Sequence, residues 1–235
     1  MANAYRRRRI VMVIVSLVIL VTALVANQPT VQPVYIAPPE RPAMGGQVTP
    51  LAIEVLQTLA IKGRAPKIDY SREQFGSGWG TLQGCDTRNI ILNRDLVDVQ
   101  IDENCNVTQG TLSDPYTGKT IAFVRGSETS DDVQIDHVVA LSDAWQKGAQ
   151  QLSMSTRILL ANDPLELLAV DGPANQQKSD GDAATWLPLN KPFRCQYVAR
   201  QIAVKQRYDL WVTQAEYDAM ASVLQSCPEQ TLPKA

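Results

Sequence analysis

One imidazole serves the whole 235-residue chain: His137 is its single histidine. An unperturbed imidazole moves a proton near neutral pH, so any such acid–base step by histidine must run through this position. Asp136 precedes it directly, in the run Gln134-Ile135-Asp136-His137-Val138-Val139-Ala140-Leu141. Further along, Asn175 and Lys178 stand three residues apart. On a helix that spacing brings both side chains to one side.

The flanking patterns say what holds these residues. Val133-Gln134-Ile135 alternates like a strand, and Leu141 to Gln151 reads as a helix opening near Ser142, a residue suited to an N-cap. Asp136 and His137 then fall at a strand end, entering the loop before a helix. Leu167 to Val170 is a short apolar run that reads as a strand ahead of an Asp171-Gly172-Pro173 turn. Upstream, Pro50 opens a predicted helix through Leu51, Val55, Leu56 and Leu59, with Gly63 past its end. Residues 64–88, with Gly76-Ser77-Gly78-Trp79-Gly80, read as an ordered loop. Strands are predicted at 97–101, 107–112 and 120–124, the last two joined by the Asp114–Gly118 turn. Helices follow at 155–161 and 190–208, and Thr213-x-x-Glu216 is a capping box opening the last one. In the 190–208 helix Phe193, Tyr197, Ile202 and Val204 are predicted to pack, while Arg194, Arg200, Lys205 and Arg207 read as a solvated face.

The N-terminus stands apart. Arg6 to Arg9 precede seventeen residues, Ile10 to Ala26, interrupted only by Ser16 and Thr22. That run is long for a signal-peptide core and at the short limit for a membrane span. The basic cluster keeps the start cytoplasmic, so the remainder is exported, either secreted or anchored to the outer face of the cytoplasmic membrane. Residues 1–26 are thus a signal peptide or membrane anchor, 27–48 a proline-rich linker, and 49–235 one domain long enough for a sizeable core.

Cysteine and charge narrow the classes further. Four cysteines without a Cys-x-x-Cys pair, beside one histidine, give poor support for a structural zinc site. An even number in an exported domain favours disulfides, and of three possible pairings the local one is expected, Cys85–Cys105 with Cys195–Cys227. Each is worth roughly 3–4 kcal/mol in the chain-entropy model. The chain has 22 basic and 24 acidic residues, and four of the basic ones are Arg6 to Arg9. The exported part is therefore acidic, so binding a polyanion would require a local basic patch or a metal ion.

Asp136-His137, then Asn162 to Asp182 with Asn175-x-x-Lys178-Ser179 after a strand and turn, resembles the HNH, or ββα-metal, endonucleases. The likeness is to exported members related to the C-terminal domain of the GmrSD restriction endonuclease. Cys85 to Asn89, Asp114 to Gly118 and Arg194 to Arg200 carry it more loosely. It implies an α+β fold with a ββα-metal (His-Me finger) core, added N-terminal strands and C-terminal helices. It implies His137 as general base, Asp136 and Asn175 as ligands of a divalent metal, Mg²⁺ for preference, and Lys178 as a phosphate contact. A monomer cleaving nucleic acid, DNA ahead of RNA, is the implied function. The chemistry suits these residue types: neutral imidazole takes a proton from water, and oxygen ligands hold a hard cation against phosphate.

One position departs from that pattern. Where the family carries a middle asparagine that braces the histidine loop, this chain has Glu166. An ionised glutamate accepts hydrogen bonds and cannot donate them. It could brace the loop differently, join the metal shell or impair the enzyme. Two alternatives remain: a non-catalytic, disulfide-stapled envelope binding module, and a serine hydrolase pairing His137 with Ser142 or Ser179. The last lacks a Gly-x-Ser-x-Gly elbow.

Overall fold

The computed structural model describes residues 49–126 and 130–233; the apolar leader and the proline-rich linker lie outside the described residues. At its centre β6 (Val133–His137) pairs antiparallel with β7 (Leu167–Asp171), with Ile135 opposite Ala169 and His137 opposite Leu167. All of β7 is buried. Neighbouring strand residues point to opposite faces, so Leu167 and Ala169 join Val133 and Ile135 in one core, while Leu168 and Val170 enter another. Burial on both faces explains why β7 reads as an unbroken apolar run. Leu167→Ala would cost about 2–5 kcal/mol.

The smaller core lies toward β1 (Thr81–Leu82), β2 (Cys85–Asp86), α2 (Thr87–Asp95) and the antiparallel meander β3 (Leu96–Ile101), β4 (Val107–Ser113), β5 (Thr120–Val124). Helix α2 was not foreseen in a segment read as loop up to residue 88. Asp86 caps it by accepting from the Asn89 amide at 2.8 Å, and Ile91 and Leu92 bury completely. Cys85–Cys105 fastens its start to the β3–β4 turn.

The larger core gathers α1 (Ala52–Leu56), α3 (Leu141–Gln146), α4 (Met154–Asn162), α6 (Arg194–Arg207) and α7 (Gln214–Leu224). The capping box at Thr213 and Glu216 opens α7, and Cys195–Cys227 ties α6 to the segment after α7. Both disulfides are the expected local pairs. Helix α1 stops well before Gly63, and Ile61 beyond it makes an isolated bridge with Val212, as Leu51 before it does with Thr231. Ser142 does not cap α3. Ala140 takes that place, and the Ser142 hydroxyl donates to Asp180 at 3.1 Å. Phe193, Tyr197, Ile202 and Val204 pack as expected, but Lys205 is no solvated cation. It is wholly buried and ion-paired to Glu216 at 3.0 Å.

After β7 the chain turns directly into α5 (Gly172–Lys178), so the Asp-Gly-Pro sequence is a helix start rather than a free turn. Asp171 accepts from the Ala174 amide at 2.8 Å and Pro173 occupies the first turn, where its missing N–H costs nothing. Gly172 is required by close approach, since a Cβ there would lie 2.0 Å from the Asp131 carbonyl oxygen. The protein is therefore α+β, with an antiparallel strand pair leading into a helix that packs on both strands. Among the described residues no helix is long and apolar enough to cross a membrane.

Candidate active site

His137 ends β6 and is 7% exposed. Its Nε2 lies 2.9 Å from the Ala161 carbonyl oxygen. A carbonyl only accepts, so Nε2 carries the proton and Nδ1 carries the lone pair. No hydrogen bond engages Nδ1 among the described residues. The Trp79 ring stacks parallel to the imidazole, with centroids 5.8 Å apart. Burial, then the charges of Arg72 and Lys178, lower the pKa of His137 from 6.5 to about 3, against the pull of the Ala161 bond. The ring is held neutral, oriented and in one tautomer.

Asp136 points the other way from the strand, by the period-two rule. Its Oδ1 accepts from Lys178 Nζ at 2.9 Å and its Oδ2 accepts from the Tyr116 hydroxyl. Burial pushes this carboxyl up from the ordinary range, with Lys178 and Tyr116 opposing. Lys178 also donates to the His137 carbonyl at 2.8 Å and is 2% exposed. The expected phosphate contact is thus placed inside, where it grips two consecutive residues of β6. Asn175, one turn earlier on α5, donates from Nδ2 to Gln134 Oε1 at 2.9 Å. Helix spacing of three residues is matched here to strand spacing of two.

Asp136, His137, Gln134 and Asn175 line one open cavity of about 700 Å³. A second cavity of about 170 Å³, walled by Phe75, Gly76, Gly78 and Ala161, touches the first at Arg72, Trp79, His137 and Leu141. The donors suit a hard divalent cation. Each carboxylate oxygen offers two lone pairs, so Asp136 keeps acceptor capacity beyond Lys178 and Tyr116, and Asn175 keeps its carbonyl oxygen. Two oxygen ligands leaving room for water and phosphate is a magnesium-type arrangement. Among the described residues there is no cluster of three or more His, Cys, Asp or Glu that would make a denser cage.

Glu166 is completely buried beneath the histidine loop. Its backbone carbonyl accepts from the Val138 amide at 2.9 Å and its Oε2 accepts from the Val139 amide at 3.2 Å. Oε1 is sealed and has no hydrogen-bond partner among the described residues. Burial pushes this carboxyl well above the usual carboxylate range, only partly offset by the Val139 amide and Lys178. Held neutral, it carries one acceptor and one O–H donor, the hydrogen-bonding complement of an amide.

Sequence patterns did not reveal Trp79, Tyr116, Gln134 or Arg72. Trp79 and Arg72 sit in the stretch read as loop, and Tyr116 in a turn. Their partners are distant in sequence, and the one usable signal was an aromatic in a glycine-rich run. The serine hydrolase arrangement does not form, since Ser142 bonds Asp180 and no serine hydroxyl bonds His137 among the described residues.

Residues 86–223 match the sequence model of the C-terminal domain of GmrSD restriction endonucleases. A protein of Arthroderma benhamiae, named an uncharacterized secreted protein, is 39% identical over 179 residues, covering 75% of this chain and 84% of that relative. No solved structure matches the chain. The matched span contains both strands, the helix and the histidine described above. By a match over more than half of its length, the chain belongs to the GmrSD restriction endonuclease C-terminal domain family.

Proposed function

We propose that the protein is an exported, metal-dependent endonuclease that hydrolyses phosphodiester bonds in nucleic acid, DNA ahead of RNA, with His137 as general base. The observation that carries this is the pinned tautomer: Ala161 holds Nε2–H, which leaves Nδ1 as the basic nitrogen of a residue that lines one cavity with Asp136 and Asn175. In this reading β6, β7 and α5 are the ββα-metal core, with strands β1–β5 and the C-terminal helices added to it. Family membership supports the nucleic acid substrate. The relative's name and the two disulfides support export.

His137 Nδ1 takes a proton from water while the water oxygen bonds to phosphorus. The opposite P–O ester bond breaks, and the departing oxygen takes a proton from solvent. A divalent cation, held by Asp136 and Asn175, would neutralise phosphate charge and stabilise the leaving oxygen. Lys178 and Tyr116 fix Asp136, and Gln134 turns Asn175. Glu166 braces Val138 and Val139 as a neutral acid in place of an amide.

Nicking of supercoiled plasmid by the purified protein, with and without added Mg²⁺, tests this. Metal-dependent nicking is expected, unaffected by serine-directed phosphonates. Plasmid binding without cleavage under every metal would favour the non-catalytic binding module instead, the reading that the acidic composition and Glu166 also support.

A further inference from the structure

The proposed reaction requires a cation at the phosphate, and Lys178, the residue expected there, is sealed inside the protein. Three cations line the two cavities: Lys67, Arg72 and Arg88. Lys67 is ion-paired to Asp180 at 3.4 Å and lies over the Tyr70 ring. Arg88 is partly buried over Phe123, with Nη2 turned to the carbonyls of Ser130 and Val133. Val133 is four residues from His137 along β6, about 13 Å on an extended strand, too far for Arg88 to share a phosphate with the imidazole. Arg72 differs on each count. It is exposed, its side chain has no hydrogen bond or ion pair among the described residues, and it alone of the three lines both cavities, at the junction where His137 stands. It opens the 3-10 turn Arg72–Phe75, which buried Phe75 anchors to the core while the Arg72 side chain stays exposed.

We propose that Arg72 is the phosphate-binding residue of the site, its guanidinium gripping the non-bridging oxygens of the phosphate under attack. This rests on the nuclease reading. A guanidinium matches two phosphate oxygens with two parallel N–H bonds, which an ammonium does not. Lost stabilisation of charge in the transition state costs about 10²–10³-fold.

The test uses Arg72→Gln and Arg72→Lys in the full chain, on an oligonucleotide and on bis(4-nitrophenyl) phosphate, which has one phosphate and no bases. Arg72→Gln is expected to lower kcat/KM by about 100-fold or more on both substrates, mainly through kcat, with Arg72→Lys recovering part. An equal rate, or a loss confined to the oligonucleotide, would overturn the assignment, the latter marking a flanking-phosphate contact. If the parent cleaves neither substrate, the nuclease reading fails by itself, and binding then decides on Arg72. Salt titration of labelled single-stranded oligonucleotide in EDTA should show a log–log slope smaller by roughly 0.7 in Arg72→Gln. An unchanged slope would overturn the phosphate contact.

Discussion

Lys147 and Lys178 are both closed off from water and both paired with carboxylates, but their surroundings differ in kind. Lys147 is ion-paired to Asp143, Asp182 and Glu216 at 2.8, 2.7 and 2.6 Å, so three carboxylates surround one ammonium. Arg64 and Lys205 complete the group, so three cations face three carboxylates. None of the six lines the cavity around His137. Lys178 instead meets one carboxylate and one carbonyl, both belonging to residues that do line it. A charge-balanced cluster away from the cavity holds α3, α6 and α7 together. A pair whose partners line the cavity positions a site. Burial of charge alone does not separate the two uses; the place of the partners does.

That contrast breaks most visibly at Lys147. Lys147→Met leaves three buried carboxylates facing two cations and should cost about 3–5 kcal/mol, read by urea denaturation, while kcat per folded molecule stays as in the parent. A loss below about 1 kcal/mol would mean the cluster does not hold the helices. Removing the Cys195–Cys227 bridge as the double serine variant should cost about 2–4 kcal/mol, again with kcat retained. Lys178→Gln should move the other quantity. A residue that orients a ligand typically costs 10–100-fold when lost, and here the loss should fall on kcat, with KM nearly unchanged. A rise in KM alone would return Lys178 to the role of an exposed phosphate contact.

The smallest effect is expected at Glu166. Glu166→Gln replaces a neutral acid by an amide of the same shape and should stay within about 1 kcal/mol of the parent at neutral pH. The pH dependence carries a sign. The folded pKa of Glu166 is raised, so its contribution is full below the ordinary carboxylate range and is lost as pH rises through the folded value. Glu166→Gln should therefore flatten the alkaline side of the stability profile. His137 runs the opposite way: lowered from 6.5 to about 3, its contribution is present above pH 6.5 and is lost as pH falls toward 3. His137→Ala should flatten the acid side between those values. Melting temperatures across the range check both.

Local physics made much of this visible in sequence. Period-two alternation marked β6, the capping box marked α7, and an even cysteine count in an exported domain pointed to the two bridges. Elements whose stability comes from distant partners were not visible. Helix α2 mixes Asn and Arg with two isoleucines and a leucine, and its boundary depends on the Asp86 cap and on the sheet beneath it. Ser142 has the chemistry of a cap, yet a carboxylate far along the chain claims its hydroxyl. The cluster around His137 shows the same division. Asp136 and His137 stood out by type and position, and Asn175 and Lys178 through the family resemblance, but the inward turn of Lys178 and the stacking of Trp79 are tertiary facts. Glu166 was visible as a departure, and only its burial explains how a glutamate can take an amide's place.

The central claim is that His137 moves the proton, and a paired measurement on His137→Ala tests it most directly: plasmid cleavage at saturating Mg²⁺, with divalent-cation affinity by calorimetry on the same sample. Loss of a general base predicts a fall in cleavage on the order of 10²–10⁴-fold, with cation affinity and DNA binding close to those of the parent. Cleavage by His137→Ala at the parent's rate would contradict the account.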